Sequence, residues 1–441
     1  MLSPDDNELL TRTAAGTPMG ELFRRFWMPA LLSQELPLPD GPPLRVKLLG
    51  EELVAFRDSA GRVGLVEGRC PHRGANLFFG RNEECGIRCI YHGWKFAASG
   101  ECLDMPTMRD AKDYEKIRAG VRLKSYKVHE GGGIVWAYLG PGDGAPPFPG
   151  LEFCEVAAAH RFVSKKLQQC NWAQACEGAF DTAHFSFLHT SLSAADELQV
   201  MNQSEAAASG DKRRLRWLRE DGMPRFTILD HPAGLAMGAA RRADDEDLYW
   251  RVSQFLMPNH ALAPSTFPGE DYHGQTFVPI DDVSCWIYCY TWTPHRPLSE
   301  AQRTRFAAGH TVHATVDRNW VPIRNRDNDY LIDRDEQKRR SFTGITGVSE
   351  QDAAAQDSQG FIADRTREFL GPTDLGIVRF RRLILDSARN LQNGIPPPAA
   401  GQPDSYRVRA GGTVAHRSQS LTEVMGTRFG DPNGRVTEGY L

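Results

Sequence analysis

The 441-residue sequence lacks any apolar stretch approaching the roughly 20 residues that a membrane-spanning helix needs. It also lacks a basic excess: 52 basic and 56 acidic residues give a formal net charge of −4, which argues against a nucleic-acid-binding protein. The amino terminus, MLSPDDNELL, has neither the basic nor the apolar segment of a secretory signal. We therefore expect a cytoplasmic protein that binds neither nucleic acid nor membrane.

Cysteine is scarce, and its pattern excludes a disulfide framework. Nine cysteines, an odd number, are scattered over the whole chain. A glycine-rich nucleotide-binding loop is missing as well, because EGGGIVW (130–136) precedes its strand and is interpreted as a turn. What remains is a composition typical of globular proteins, 41% hydrophobic and 24% charged.

The hydrophobic pattern predicts two domains after a mostly helical start at residues 8–28. Short alternating stretches separated by glycine turns indicate an antiparallel β domain between residues 44 and 138. The proline- and glycine-rich segment 141–150 is typical of a linker. Beyond it, the strands YWRVSQFLM and SCWIYCYTW and helices at 299–319 and 351–370 predict an α+β domain.

Chemistry is concentrated first in CPHRGANLFFGRNEECGIRCIYHGWKF. Cys70 and His72 form a C-x-H pair, and Cys89 and His92 form a C-x-x-H pair. One class of [2Fe–2S] centre binds one iron with two thiolates and the other with two imidazoles. Two mixed loops of this kind supply that ligand set, with Cys70 and Cys89 on one iron and the histidines on the other. Cys85 has no histidine at ligand spacing and is interpreted as a non-ligand.

A structural zinc site is the alternative for this stretch. Zinc modules usually group like ligands as C-x(2–4)-C and H-x(3–5)-H, whereas each loop here mixes cysteine with histidine. Gly74 and Gly93 allow tight turns, and Trp94 and Phe96 can shield a cluster from water. The spacing favours iron and sulfur over zinc.

A second group of metal ligands lies in NWAQACEGAFDTAHFSFLHT. His184 and His189 are five residues apart, about 140° around an ideal helix, so a shared metal requires the helix to bulge, tighten or end between them. Glu177 and Asp181 lie on the helix face of His184 and could orient its imidazole. Alone, two histidines in an amphipathic helix are more often packing or surface residues.

Taken together, the two motifs explain each other. Two histidines completed by one carboxylate form the facial triad of non-haem Fe(II) oxygenases, which leaves positions open for O2. Such an iron needs single electrons, and a [2Fe–2S] centre in the same chain would supply them.

The sequence strongly resembles the Rieske non-haem iron aromatic-ring-hydroxylating oxygenases, and within them the α-only, phthalate 4,5-dioxygenase-like oxygenase components. The resemblance rests on the two Cys/His pairs, on E-x3-D-x2-H-x4-H at Glu177 to His189, and on the segment from DNDYLIDRDEQKRR to EFLGPTD. It covers nearly the whole chain. It implies a Rieske β domain at residues 41–150 and a helix-grip catalytic domain at 151–441, on which an N-terminal helical segment, residues 1–40, packs.

The resemblance also implies the ligands of the mononuclear iron: His184, His189 and a carboxylate in SEQDAAAQD. Asp352 fits the family's position, and Asp357 is the second choice, expected on an exposed helix face. Asp181 is implied as a bridge from His184 to the cluster ligand His92 of a neighbouring subunit. The functional unit would then be a homotrimer or a dimer of trimers.

The implied activity is reductive O2 activation, with electrons from NAD(P)H passing through a separate flavin and [2Fe–2S] reductase to the cluster and then to iron. The substrate would be a small aromatic molecule, expected to be a phthalate- or benzoate-like carboxylate. Dihydroxylation, monooxygenation and O-demethylation all fit the ligands. Arg241, on an expected strand, could bind the carboxylate, although a surface position beside Arg242 is an equal alternative.

Two other classes of function stay open from the residues alone. One is a Rieske electron carrier without a second iron, and the other is a zinc-stabilised interaction protein. Metal content and a visible spectrum distinguish both from an oxygenase.

Overall fold

The computed structural model describes residues 1–142, 144–193, 213–264 and 271–428. The chain starts with two short helices, α1 (Pro4–Thr11) and α2 (Pro18–Phe23). Each begins at a side-chain cap, because the hydroxyls of Ser3 and Thr17 accept hydrogen bonds from backbone N–H groups three residues on. The predicted helix at 8–28 is thus interrupted, and its last residues already belong to a strand.

The first domain consists of two antiparallel sheets, as the sequence predicts. The larger has the order β1-β10-β9-β4-β3-β2, and the smaller has the order β5-β6-β7-β8. Their bounds are β1 Trp27–Leu32, β2 Leu44–Leu48, β3 Glu51–Arg57, β4 Val63–Glu67, β5 Arg81–Glu83, β6 Gly86–Arg88, β7 Lys95–Phe96, β8 Cys102–Asp104, β9 Ser125–Gly131 and β10 Ile134–Tyr138. Helix α3 (Tyr114–Gly120) follows β8. The glycine pair between β9 and β10 forms the turn predicted for EGGGIVW.

The second domain is built on one long antiparallel sheet with the order β11-β17-β16-β15-β14-β13-β12, and β18 also pairs with β14. The bounds are β11 Arg161–Gln168, β12 Arg225–His231, β13 Gly234–Arg242, β14 Asp247–Leu256, β15 His260–Ala263, β16 Tyr272–Pro279, β17 Cys285–Trp292 and β18 Gly411–His416. Gly274 permits close packing on β16, since a Cβ there would lie 2.3 Å from the ring of Tyr290.

This domain also contains helices, several of which pack against the sheet. The helices are α4 Glu152–Glu155, α5 Trp172–Phe180, α6 Arg213–Glu220, α7 Glu300–Ala307, α8 Arg334–Arg339, α9 Val348–Asp357, α10 Leu375–Gln392 and α11 Leu421–Arg428. Phe180 of α5 packs between Phe255 of β14 and Phe380 of α10, with ring centroids 5.9 and 5.0 Å away. Burying each such ring contributes about 1.5–3 kcal/mol. This is the helix-grip arrangement expected from the sequence.

Several predicted elements are shorter than expected or of the wrong type. The helices predicted at 299–319 and 351–370 cover only Glu300–Ala307 and Val348–Asp357. The alternating charge of KRRLRWLRE (212–220) favours an exposed strand, but its described residues form α6, in which Arg214 and Trp217 are buried. Its apolar residues recur at helical spacing, and burial of that stripe decides the outcome.

The N-terminal helices contact the second domain directly. Asn171, the cap of α5, donates to the carbonyl of Thr11, and the indole of Trp172 donates to that of Leu10. Strand β1 pairs with β10, so the first strand of the β domain precedes residue 41. Within the described part of the chain, every helix is too short or too polar to cross a membrane.

Candidate metal centres

Two loops of matching geometry in the first domain carry Cys70 and His72 and Cys89 and His92. In each, the cysteine carbonyl accepts a hydrogen bond from a glycine N–H four residues on, Gly74 at 2.8 Å and Gly93 at 3.0 Å. Both glycines have positive φ, +72° and +73°, a conformation that other residues adopt only with strain. The loops therefore turn back immediately after presenting their ligands.

The cysteines of these loops are buried, whereas the histidines lie at the surface end of the loops. The thiols of Cys70 and Cys89 are both buried, and burial together with the neighbouring Cys89 raises the pKa of Cys70 to about 11. The rings of His72 and His92 lie 4.5 Å apart at the partly exposed tip, and Trp94 stacks on His72 at 4.3 Å. Two thiols inside and two imidazoles outside fit one thiolate-bound and one imidazole-bound iron.

Cys85 lies apart from these ligands. It occupies the turn between β5 and β6, where its backbone N–H donates to the hydroxyl of Ser59.

In the second domain, His184, His189 and Asp352 converge on one point. Their nearest ligand atoms all lie within 4.8 Å of one another, and no other group of three such residues does so among the described residues. The two Nε2 atoms are 3.1 Å apart, and the Oδ1 of Asp352 lies 3.1 Å from that of His189 and 3.5 Å from that of His184. This set of donors matches a two-histidine, one-carboxylate metal site.

The helix ends early, and this accommodates the five-residue spacing between His184 and His189. Helix α5 stops at Phe180, before either histidine rather than between them, and Asp181 takes an extended conformation. The Oδ1 of Asp181 accepts from the N–H of Ala183, and a single 3₁₀ turn then begins at His184. His189 follows that turn, so both rings can face the same point.

Polar partners of Nδ1 orient both imidazoles. The Nδ1 of His184 lies 3.4 Å from Asp181, and the Nδ1 of His189 lies 2.7 Å from the side-chain oxygen of Gln351. The amide nitrogen of Gln351 donates to the carbonyl of Ile345, so its oxygen must face His189. Each Nδ1–H is thereby occupied, and each Nε2 lone pair points to the shared centre.

Glu177 does not reach these imidazoles. It is half-buried one turn before Asp181 and pairs with Arg365 and Arg381 at 3.2 and 2.8 Å. Burial alone would raise the pKa of this carboxyl, but the two guanidinium groups outweigh burial and lower it. Of the two acidic residues predicted to orient His184, only Asp181 is placed to do so.

The charges of the site favour ionised carboxylates. Burial would raise the pKa of Asp352, but the imidazole of His189 reverses this and lowers it. The pKa of Asp181 is lowered in the same way by His184. Both carboxylates are held in the charged form that a cation needs.

Comparison with known families covers both domains. Residues 26–126 match the Rieske [2Fe-2S] domain, and residues 137–415 match the LigXa C-terminal domain like family. The chain is 39% identical to the 3-chlorobenzoate-3,4-dioxygenase oxygenase subunit of Comamonas testosteroni, over 91% of this chain and 92% of that protein. It is 38% identical to the phthalate 4,5-dioxygenase oxygenase subunit of Pseudomonas putida, over 89% and 88%.

The chain belongs to the Rieske non-haem iron oxygenases. It is the oxygenase component of a multicomponent enzyme that uses a Rieske cluster, a mononuclear iron, O2 and electrons from NAD(P)H delivered by a separate reductase. The fold agrees with the solved oxygenase–ferredoxin complex of carbazole 1,9a-dioxygenase, at a TM-score of 0.57 and 19% identity, over 89% of this chain and 97% of that one.

In this Rieske oxygenase Asp357, the second-choice ligand, faces away from the histidines. It lies at the end of α9, where the hydroxyl of Tyr330 donates to its carboxylate at 2.5 Å. Asp357 is also buried, so the expectation of an exposed acidic face is wrong. Five residues on a helix turn it well away from Asp352, into the protein interior.

Arg241 is fully buried on β13, an interior strand, and the surface alternative is therefore wrong. Its guanidinium donates to the backbone carbonyls of Thr182 and Asp221 at 2.7 and 3.0 Å. Much of its hydrogen-bonding capacity thus serves to hold the segment that precedes His184.

Sequence reasoning missed Gln351 and Arg251. Gln351 stands directly before Asp352, and only the fold shows that it faces His189. Arg251 lies on β14 and donates to the hydroxyl of Thr182 at 2.7 Å. Two-residue alternation on β14 could have placed Arg251 on an inner face, but nothing local in the sequence relates it to a histidine 67 positions earlier.

For this Rieske oxygenase we predict that Asp352→Ala lowers iron from about three to about two atoms per chain, because one carboxylate completes the triad. The Rieske absorbance should stay unchanged. Metal analysis alongside the visible spectrum checks both. Asp364→Ala, at an exposed carboxylate, is the control and should keep all three irons. Full iron content in Asp352→Ala would exclude Asp352 as a ligand.

Proposed function

We propose that Cys70, His72, Cys89 and His92 hold the Rieske cluster and that His184, His189 and Asp352 hold the mononuclear iron. The donor types, the buried thiols and the shared point between the Nε2 atoms support this assignment. When bound, the two groups supply single electrons and O2 activation. The expected domains, 1–40, 41–150 and 151–441, serve these two centres.

We propose further that the substrate is an aromatic carboxylate, and the side chain that carries this proposal is Arg251. It is 2% exposed, it forms no ion pair with any described residue, and its Nη2 has no hydrogen-bond partner among them. Its guanidinium stacks 4.1 Å from the ring of Phe185, which in turn lies 4.6 Å from the ring of His189. A cation buried one ring away from the metal site calls for an anionic partner.

Other buried groups near Arg251 strengthen this need for an anion. Arg241 is also buried and lies close enough to Arg251 for the two positive charges to repel each other. The hydroxyls of Ser253, two residues along the same face of β14, and Ser186 have no partner in the described part of the chain. A carboxylate would neutralise charge here and accept hydrogen bonds that the protein leaves unmade.

The names of the relatives agree with this chemistry. One is a 3-chlorobenzoate and the other a phthalate dioxygenase subunit, and both named substrates are aromatic acids. Within this chain, Arg251 would bind the carboxylate so that the adjoining ring lies near the open side of the triad. Thr182 and Phe185 hold the guanidinium in place.

A substrate screen tests the proposed function. Purified protein, a flavin and [2Fe–2S] reductase, NADH and 18O2 should convert benzoates or phthalates to ¹⁸O-labelled product, read by mass spectrometry rather than by NADH loss. Two labelled atoms in the aromatic product indicate dihydroxylation, and one indicates monooxygenation, whereas O-demethylation of a methoxylated acid would leave the aromatic product unlabelled and release formaldehyde. Neutral analogues such as the amides should be poor substrates. Turnover of neutral arenes in preference to the acids would contradict the proposal.

Arg251→Met should raise KM for the aromatic acid about 10- to 100-fold, because a charge-assisted hydrogen bond contributes about 1.5–3 kcal/mol. Methionine keeps the apolar stem, so iron content should not change. Steady-state kinetics with product detection measure the effect. Arg242→Met, at an exposed arginine on the paired strand β13, is the matched control and should leave KM unchanged. An unchanged KM in Arg251→Met would remove this residue from the site.

We also propose that the working unit is a homotrimer, or a dimer of trimers, in which the cluster of one chain serves the iron of the next. Beside His92, Ile90 and Tyr91 are exposed apolar side chains at the tip of the Rieske domain. Within the described residues of one chain, no hydrogen bond joins this tip to Asp181. A second copy can bring the two together, and a ring of such contacts closes.

The receiving surface is a groove of about 680 Å³ that opens beside Asp181 and His184. Asp364 and Asp374 make part of its rim acidic, beside Arg367 and an ion pair between Glu368 and Arg381, while Arg69 and Arg73 flank the cluster ligands on the tip. The opposite charges favour docking of tip into groove. Asp181 would then accept from His92 of the neighbouring copy while it holds His184.

Asp181→Asn should lower turnover about 10- to 100-fold, a typical cost for losing a hydrogen-bond partner of a metal ligand. Both metals should remain bound, because no ligand is removed. Stopped-flow reoxidation of the reduced cluster, with substrate and O2 present, locates the loss in electron transfer. Asp364→Asn makes the same charge change in the groove and should retain most of the rate. If Asp181→Asn reoxidised its cluster at the wild-type rate, the bridging role would be wrong.

A further inference from the structure

The charge-dense segment at residues 324–340 has one buried side chain at its centre. Most of the segment is exposed, as its composition suggests, but Tyr330 retains only 7% of its accessible surface. A buried tyrosine in such a run requires a specific partner for its hydroxyl.

The backbone around Tyr330 is held in an unusual conformation. Asp329, Tyr330 and Leu331 have φ values of +50°, +56° and +48°, three consecutive non-glycine residues in the left-handed region. This conformation crowds Cβ against the carbonyl oxygen and occurs mostly at single positions. It persists only where surrounding contacts over-determine it, and here Tyr330 N–H donates to the carbonyl of Asn325 at 2.9 Å. The turn thus directs the phenol inward.

The phenol binds the helix that carries the carboxylate of the triad. Its hydroxyl donates to the Oδ2 of Asp357 at 2.5 Å. Asp357 is buried beside the thiol of Cys170, whose pKa burial raises strongly, with a further contribution from Asp357. Asp357 forms no ion pair with any described residue, so the Tyr330 hydroxyl is its principal donor.

The end of this segment and the residues that follow it, up to residue 345, bind the chain around His189. The N–H of Phe342 donates to the carbonyl of Thr190 at 3.0 Å, and the N–H of Leu192 donates to that of Arg340 at 2.7 Å. The carbonyl of Ile345 accepts from Gln351, the residue that orients His189. Residues 325–345 therefore connect both sides of the metal site.

We propose that Tyr330 is a positioning residue: through Asp357 it anchors segment 325–345, which acts as a brace that sets the spacing between His189 and Asp352. This rests on the proposed role of those two residues as iron ligands. Tyr330 touches neither the ligands nor the reacting atoms. Its effect passes through α9 at one end and through the pairing with Thr190 and Leu192 at the other.

Tyr330→Phe tests the brace, with Tyr406→Phe as the matched control. Tyr406 is equally buried, and its hydroxyl also donates one hydrogen bond, to the carbonyl of Met257, away from the triad. Loss of a bond that orients metal ligands typically weakens binding about 10-fold or more. We expect that weakening for ferrous iron in Tyr330→Phe alone, measured by competition with a ferrous chelator, while both variants keep the Rieske absorbance.

A spectroscopic readout separates positioning from general stability. The electron paramagnetic resonance spectrum of the ferrous–nitric oxide adduct reports ligand geometry, and it should broaden or shift in Tyr330→Phe but not in Tyr406→Phe. Comparable melting temperatures of the two variants would leave only the brace to explain the difference.

Variants of Asp357 keep the test decisive if Tyr330→Phe does not fold. Asp357→Asn retains an oxygen that accepts from the phenol and should keep iron affinity near wild type. Asp357→Ala should weaken iron binding as Tyr330→Phe does. The variant that carries both substitutions should bind iron no more weakly than either single variant. A ligand role for Asp357 predicts instead that Asp357→Asn loses the iron.

The failures of the two proposals differ. If wild-type protein binds only the two cluster irons, the assignment of the triad is wrong. The proposal of a brace depends on that assignment and is then wrong as well. If wild type binds the third iron but Tyr330→Phe and Asp357→Ala hold it as tightly, with an unchanged nitric oxide spectrum, the triad stands and the brace is overturned.

Discussion

The hydrogen bond between the Nδ1 of His189 and the side-chain oxygen of Gln351 determines which nitrogen of that ring faces the metal centre. The pairing of His184 with Asp181 does the same for the second ring. An imidazole can bind a metal only through a nitrogen that carries no proton, so these two acceptors prepare both histidines for their proposed role as iron ligands. The early end of α5, the 3₁₀ turn and the register of α9 all serve to bring the acceptors to the rings.

The proposed routes of electrons and of substrate approach this centre from different sides. The groove beside Asp181 touches His184 and Asp352 but no strand of the sheet, whereas Arg251 lies on the inner face of β14. Thr182 stands between them, since it follows Asp181 and accepts from Arg251 and Arg241. Under the proposed roles, a carboxylate bound at Arg251 would act on the residue next to Asp181, and substrate binding would thereby be connected to the geometry of electron delivery.

The cluster loops could be predicted closely because every determinant is local: ligands, glycines and shielding tryptophan all lie within 27 residues. The β domain and the helix-grip sheet also followed from local alternation and family resemblance. The second centre was harder, since its histidines were expected on one helix and the chain instead ends that helix at Phe180. Asp352 was found only through the resemblance. Gln351 and Arg251 could not be found, because their roles depend on contacts between positions more than 60 residues apart.

Asp357 is buried, although the sequence predicts that it is exposed, and the difference has a physical explanation. Helix α9 has ten residues and a weak apolar stripe. An aspartate at its last position is expected to be exposed to solvent, because burying a carboxylate without a cation is unfavourable. The chain nevertheless buries it and meets its need with a phenol from a backbone that itself adopts a disfavoured conformation. Two locally unfavourable choices that satisfy each other are hard to explain as packing alone, since an apolar pair would pack as well. They are explained if the bond fixes the position of α9, and with it the carboxylate of the triad, relative to His189.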